Sequence, residues 1–137
     1  MEPMKDIYRI KYGDNKYHVG YEEFVDRFDK LCDIFRDNIN EFSSIEGFYG
    51  IPRGGTIIAM MLSYRFPELQ LHLTLNNLSP DTLVIDDICD TGQTLSVFAK
   101  HDYKTAVIFL KPHAKMEPTY WAALADNDRY YEFPYEK

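Results

Sequence analysis

Residues 82–94, TLVIDDICDTGQT, set two adjacent carboxylates, Asp86 and Asp87, at the end of an apolar run. A third carboxylate, Asp90, follows and opens the stretch Thr91, Gly92, Gln93, Thr94. Paired carboxylates coordinate Mg²⁺ or accept hydrogen bonds from the vicinal hydroxyls of a sugar. A turn of Asp-Thr-Gly-Gln-Thr running into a helix presents several N–H groups and two hydroxyls to an anion. A carboxylate subsite beside a phosphate subsite suits a sugar 5-phosphate. Taken alone, an acidic pair is more often a loop cap, and Asp and Thr are common N-cap residues. The order of apolar strand, paired acids, Asp-Thr-Gly-x-Thr and helix is what points to a ligand.

Two more stretches carry chemistry. In GIPRGGT (50–56) Arg53 offers a guanidinium fork, Gly54 and Gly55 let backbone amides approach an anion, and Thr56 opens a helix. Gly-Gly alone is usually only a turn. In VIFLKPH (107–113) Lys111 lies just past an apolar run, where a lysine is more often solvated than functional. The C-terminal stretch DRYYEFPYE concentrates aromatics, which pack against a sheet as readily as they stack on a ligand.

The elements that must position these residues follow from periodicity. Residues 7–21 alternate around Gly-Asp-Asn and predict a hairpin. Residues 22–40 place Phe24, Phe28, Leu31, Phe35 and Ile39 at helical spacing, and 56–66 predict a buried helix stopped by Pro67. Strands are predicted over 46–51, 69–75, 82–86 and 105–110, with a weaker one over 120–125 and a short helix over 94–100. Short apolar strands alternating with helices define an α/β domain with a mostly parallel, twisted sheet. Ligands in such folds bind beyond the carboxyl ends of strands, and each of the three motifs follows a strand.

The 137 residues suit one domain, read as the hairpin 7–21, a core 22–112 and a C-terminal segment 113–137. A net charge of −7 without a Lys/Arg cluster argues against nucleic acid as a partner. No apolar run approaches the roughly 20 residues of a membrane span. The start MEPMKD lacks a signal-peptide core, so a cytoplasmic protein is expected. Cys32 and Cys89 form no disulfide or metal-ligand pattern and read as reduced thiols.

VIDDICDTGQT resembles the phosphoribosyl pyrophosphate signature of the type I phosphoribosyltransferases, and GIPRGGT, in the same order along the chain, resembles their pyrophosphate loop. The resemblance spans residues 17–137 by order of elements rather than by continuous identity. It implies that Asp86 and Asp87 meet the ribose hydroxyls, directly or through Mg²⁺ bound partly by substrate. It implies that Asp90 acts near the purine N7 as general acid/base, and that Asp90, Thr91, Gly92, Gln93 and Thr94 wrap the 5-phosphate. Gln93 stands where some purine enzymes have lysine. Arg53, Gly54 and Gly55 would bind pyrophosphate. The closest pattern is that of the 6-oxopurine enzymes, in which a lysine at the place of Lys111 donates to the purine O6. There an aromatic stacks on the base, for which Tyr130 is the first choice and Tyr131 or Phe133 the alternative.

A receiver domain, which also combines an acidic pair with Lys-Pro, is excluded. Lys111 follows Asp87 by only 24 positions, too few for a receiver's intervening elements. One departure from the family is conspicuous. Only 30 residues separate Gly55 from Asp86, too few for the long mobile lid that family members carry there. The implied reaction is phosphoribosyl transfer to a 6-oxopurine, with a small hood from the terminal segments over the site. A regulatory module that binds the same ligands without turnover, and an enzyme for another base, are the alternatives. The N-terminal hairpin or a neighbouring subunit of a homo-oligomer would serve in place of the lid.

Overall fold

The computed structural model describes residues 15–136. Its core is a five-stranded sheet in the order β3-β2-β4-β5-β6, with every neighbouring pair parallel. The strands are β2 (Gly47–Gly50), β3 (Gln70–His72), β4 (Thr82–Cys89), β5 (Lys104–Leu110) and β6 (Tyr120–Leu124). β4 and β5 lie at the centre and carry the continuous buried runs Thr82–Ile85 and Thr105–Leu110, as strands covered on both faces must.

Helix α1 (Tyr21–Asp37) buries Phe24, Phe28, Leu31 and Phe35 of the expected stripe, together with Cys32, but it ends before Ile39, which is 54% exposed. Glu22 and Glu23 in its first turn and Arg36 in its last complement the helix dipole. A short α2 (Ile39–Phe42) follows, then α3 (Gly54–Arg65) after β2 and α4 (Gln93–Lys100) after β4. One face of the sheet packs Phe48, Leu83, Ile85, Ala106 and Ile108 against α1 and α3. The other packs Tyr49, Val84 and Val107 against Leu95 of α4. The alternation shifts phase within the acidic pair, because Ile88 returns to the α1/α3 side and Cys89 to the α4 side.

A second, two-stranded parallel sheet joins β1 (Lys16–His18) to β7 (Tyr130–Glu132). A 3₁₀ turn, Pro134–Glu136, completes the chain's described part. This small sheet brings the two terminal segments together as a hood, with Tyr17 stacked on Tyr131 at 4.6 Å between centroids. The first arm of the expected hairpin lies outside the described residues; the second is β1, whose partner β7 comes from the far end of the chain.

Several expectations need correction. β4 does not stop at Asp86 but runs to Cys89, so the acidic pair lies inside the strand rather than at its end. Pairing with β5 extends the strand, through Asp86 opposite Val107 and Cys89 opposite Leu110. The strand expected over 69–75 is confined to Gln70–His72, and Leu73 and Leu75 are exposed. β7 falls in a stretch read only as aromatic, because three residues are too few to show a period. The buried helix is not buried all round: Tyr64 is 85% exposed, while Gly55, Ile58, Ala59 and Leu62 face the sheet. Residues 73–81, between β3 and β4, contain no strand or helix, so the short connection expected in place of a lid is what the fold contains.

Candidate active site

The three motifs converge because parallel strands β2, β4 and β5 all deliver their carboxyl ends to one edge of the sheet. After β2 the chain turns through Ile51–Arg53, with the Pro52–Arg53 peptide in the cis form, and enters α3 at Gly54. The turn is pinned by Ile51 N–H donating to Ile85 O at 2.8 Å and by the Thr56 hydroxyl donating to Gly50 O at 3.2 Å. Gly54 lies directly against the acidic pair: a Cβ there would sit 2.0 Å from Asp87 Oδ2. A Cβ on Gly55 would sit 2.4 Å from Ile85 O. The two glycines thus let the first motif press its backbone onto the second, and Arg53 stands exposed at the rim.

Asp86 and Asp87 are both half-buried. Asp86 Oδ1 accepts from the Asp87 N–H at 2.9 Å, and Asp87 Oδ2 accepts from the Tyr135 hydroxyl at 2.8 Å. Burial, followed by the adjacent Asp87 carboxylate, holds the Asp86 carboxyl well above the usual carboxylate range. Burial and Asp87 likewise push the Tyr135 phenol far up, so Tyr135 is a proton donor throughout the working range of pH. Among the described residues no cationic side chain lies in salt-bridge reach of either aspartate. Two crowded carboxyls without a countercharge fit a cation or a diol. No group of three or more His, Cys, Asp or Glu among the described residues would hold a metal alone. Hard oxygen donors of this kind suit Mg²⁺ when substrate oxygens and water complete its shell.

Past β4 the chain turns through residues 90–92 into α4, the stretch expected to cup an anion. Gly92 caps α4 with φ +90°, a left-handed conformation that favours glycine. The Gln93 N–H is held by the Thr91 hydroxyl at 3.2 Å, and Ser96 N–H bonds Gly92 O at 2.8 Å. Thr91, Gln93 and Thr94 are exposed around the start of the helix, where orphan N–H groups and the dipole favour an anion. Asp90, exposed at the mouth of the cup, has Oδ1 2.5 Å from His113 Nε2.

After β5, Lys111 is buried rather than solvated, at 4% exposure. Its ammonium donates to Asn127 O at 3.1 Å and to Arg129 O, and lies 4.2 Å from the Tyr131 ring centroid. Burial lowers its pKa, and Asp90 and Asp128 oppose that shift. Tyr131 is itself buried between Lys111 and Tyr17, and Phe133 is buried against Phe109 and Phe24, so both belong to the core. This corrects the expectation that Tyr131 or Phe133 offers a ring face to a base. Tyr130 stays half-buried, its hydroxyl bonded to Glu136.

Two residues at the site escaped the sequence reading, His113 and Tyr135. His113 belongs to the stretch that was singled out for its lysine. The register that sets Cys89 opposite Leu110 carries it to Asp90, and that register is not visible in one sequence.

A scan against protein-family models finds no match for this sequence, and a search of curated proteins finds none. Solved structures do match. A purine phosphoribosyltransferase from Pyrococcus horikoshii Ot3 superposes with a TM-score of 0.70 at 21% identity, over 90% of this chain and 95% of the other. A xanthine-guanine-hypoxanthine phosphoribosyltransferase from Helicobacter pylori gives 0.69 at 20% identity, over 88% and 92%. A Neisseria gonorrhoeae protein solved with bound ppGpp gives 0.66 at 18% identity, over 90% of each chain. The fold is therefore that of the type I phosphoribosyltransferases, a parallel sheet flanked by helices. No described helix is long and apolar enough to cross a membrane.

Proposed function

We propose that the protein transfers the 5-phosphoribosyl group of phosphoribosyl pyrophosphate to a 6-oxopurine and releases pyrophosphate. The observation that carries this reading is the meeting of Gly54 with Asp87 beside the Asp90–Thr94 cup. That meeting puts a backbone suited to pyrophosphate, a carboxylate pair suited to a diol and a cup suited to phosphate on one sheet edge, in the order of the substrate's own groups.

The cup would anchor the 5-phosphate, and Asp86 and Asp87 would receive the ribose hydroxyls. Arg53 and the backbone at Gly54 and Gly55 would hold the leaving pyrophosphate. Mg²⁺ held by Asp86, Asp87 and substrate oxygens would supply neutralisation of the pyrophosphate charge. As the purine N9 bonds to C1′, the C1′–O bond breaks with its electrons going to pyrophosphate, and Asp90 takes the purine N7 proton. Lys111 has three N–H donors and spends two on carbonyls. The third suits an oxo group at position 6, since an ammonium donates and cannot accept. Tyr130 would stack on the base, as the family resemblance implies.

A second reading, a module that binds phosphoribosyl pyrophosphate or a guanine nucleotide without efficient turnover, is favoured by the short 73–81 connection. The ppGpp-bound structural neighbour supports it as well. A third keeps the transferase and changes the base.

The test offers the protein Mg²⁺ and phosphoribosyl pyrophosphate with guanine, xanthine, hypoxanthine, adenine, uracil and orotate in turn, beside calorimetry of the same ligands and of ppGpp. Nucleotide from oxopurines alone supports the first reading. Binding without turnover supports the second, and nucleotide from adenine, uracil or orotate supports the third. Neither binding nor turnover would sink all three.

A further inference from the structure

We infer that His113 is a positioning residue for Asp90: it engages Asp90 Oδ1 and thereby presents Oδ2 to the proton of the incoming base. The inference rests on the transfer reaction proposed above and deepens it. Asp90 is an exposed side chain on a turn, with 63% of its surface open, and a lone aspartate there would sample several rotamers. A general base loses effectiveness when it is not held within hydrogen-bond reach of the proton it abstracts. The contact at 2.5 Å between His113 Nε2 and Asp90 Oδ1 fixes one oxygen of the carboxylate and leaves the other for the ligand.

The placement of His113 is built into the backbone rather than left to two mobile side chains. The segment 111–116 is fastened along the turn 89–92 on both sides of the histidine. Lys111 N–H donates to Cys89 O at 3.0 Å, and Lys115 N–H donates to Thr91 O at 2.9 Å. Ala114 N–H closes a turn onto Lys111 O at 3.2 Å. Met116 locks the far end: its sulfur lies 3.6 Å from Cys89 Sγ, and its Cγ fills the space where a Cβ on Gly92 would stand, 2.5 Å away. The histidine is therefore held between two backbone anchors to the same turn that carries Asp90. An ordinary surface ion pair requires no such brace.

The experiment measures kcat and KM with Mg²⁺, phosphoribosyl pyrophosphate and whichever base the wild-type protein accepts, for His113→Phe, His113→Gln, Asp90→Asn and Asp90→Asn/His113→Phe. His113→Phe is expected to lower kcat about 10- to 100-fold, with KM for phosphoribosyl pyrophosphate within about twofold and the thermal midpoint shifted by no more than a few degrees. His113→Gln keeps a donor near the Nε2 position and is expected to recover most of that loss. The double variant is expected to be no slower than Asp90→Asn alone, since the histidine acts through the aspartate. A wild-type kcat in His113→Phe overturns the inference and leaves the transfer reaction standing. So does a loss confined to KM, or one that multiplies with that of Asp90→Asn. A wild-type protein that forms no nucleotide with any base overturns the transfer reaction and the inference together.

Discussion

Asp86 sits half-buried in β4 beside Asp87, and burial together with that neighbouring carboxylate raises its pKa to about 8. The folded protein holds the Asp86 proton to higher pH than the unfolded chain does. The stability this contributes is fully present below the unfolded chain's pKa and is lost as pH rises through the folded one. The ligand-free wild type is expected to lose on the order of 2 kcal/mol relative to Asp86→Asn between about pH 5 and pH 8. Denaturant unfolding of both proteins across that range measures it, and parallel curves would refute it. Tyr135→Phe deletes the donor to Asp87, with an expected cost of about 1 kcal/mol at unchanged m-value. Of the residues at the site, the aspartates were legible because their chemistry lies in type and order along a short stretch. Tyr135 and His113 were not, because each meets its aspartate across 48 and 23 positions respectively.

At the scale of elements, the site depends on how closely the turn after β2 approaches β4. A Cβ on Gly50 would meet Gly55 O at 2.1 Å and Thr56 Cα at 2.6 Å, backbone atoms that cannot swing aside. Gly50→Ala is therefore expected to destabilise by about 1–3 kcal/mol in denaturant unfolding. At Gly54 the atom in the way is a side-chain oxygen, Asp87 Oδ2. Gly54→Ala is expected to displace that carboxylate and weaken phosphoribosyl pyrophosphate binding by calorimetry at least tenfold, with a smaller stability loss than Gly50→Ala. The opposite ranking would contradict the geometry. Most helices and strands were legible from periodicity, since α1 shows a 3.6-residue stripe and β4 and β5 are unbroken apolar runs. The extent of β4 was not. Two aspartates read as a strand's end, whereas the ladder to β5 carries the strand through them to Cys89.

At the scale of the whole molecule, a two-faced parallel sheet gathers the carboxyl ends of β2, β4 and β5, and the terminal segments close over them as a hood built on β1 and β7. Lys111 ties the two parts together, since it leaves β5 and ends on the carbonyls of Asn127 and Arg129. The parallel α/β class was legible from the order of elements. A hood from the terminal segments was implied by the family resemblance, but the pairing that builds it was not legible, because its two strands of three residues each come from opposite ends of the chain. With only residues 73–81 where a lid would stand, the site is expected to admit water, so slow hydrolysis of phosphoribosyl pyrophosphate should accompany transfer. The most direct measurement follows phosphorus resonances of phosphoribosyl pyrophosphate with Mg²⁺, an oxopurine and catalytic amounts of the protein. The account predicts that pyrophosphate and a nucleoside monophosphate appear together with the wild type, and that Asp90→Asn slows both about 100-fold or more. Release of pyrophosphate with no nucleotide formed at all, or nucleotide formation undiminished in Asp90→Asn, would contradict it.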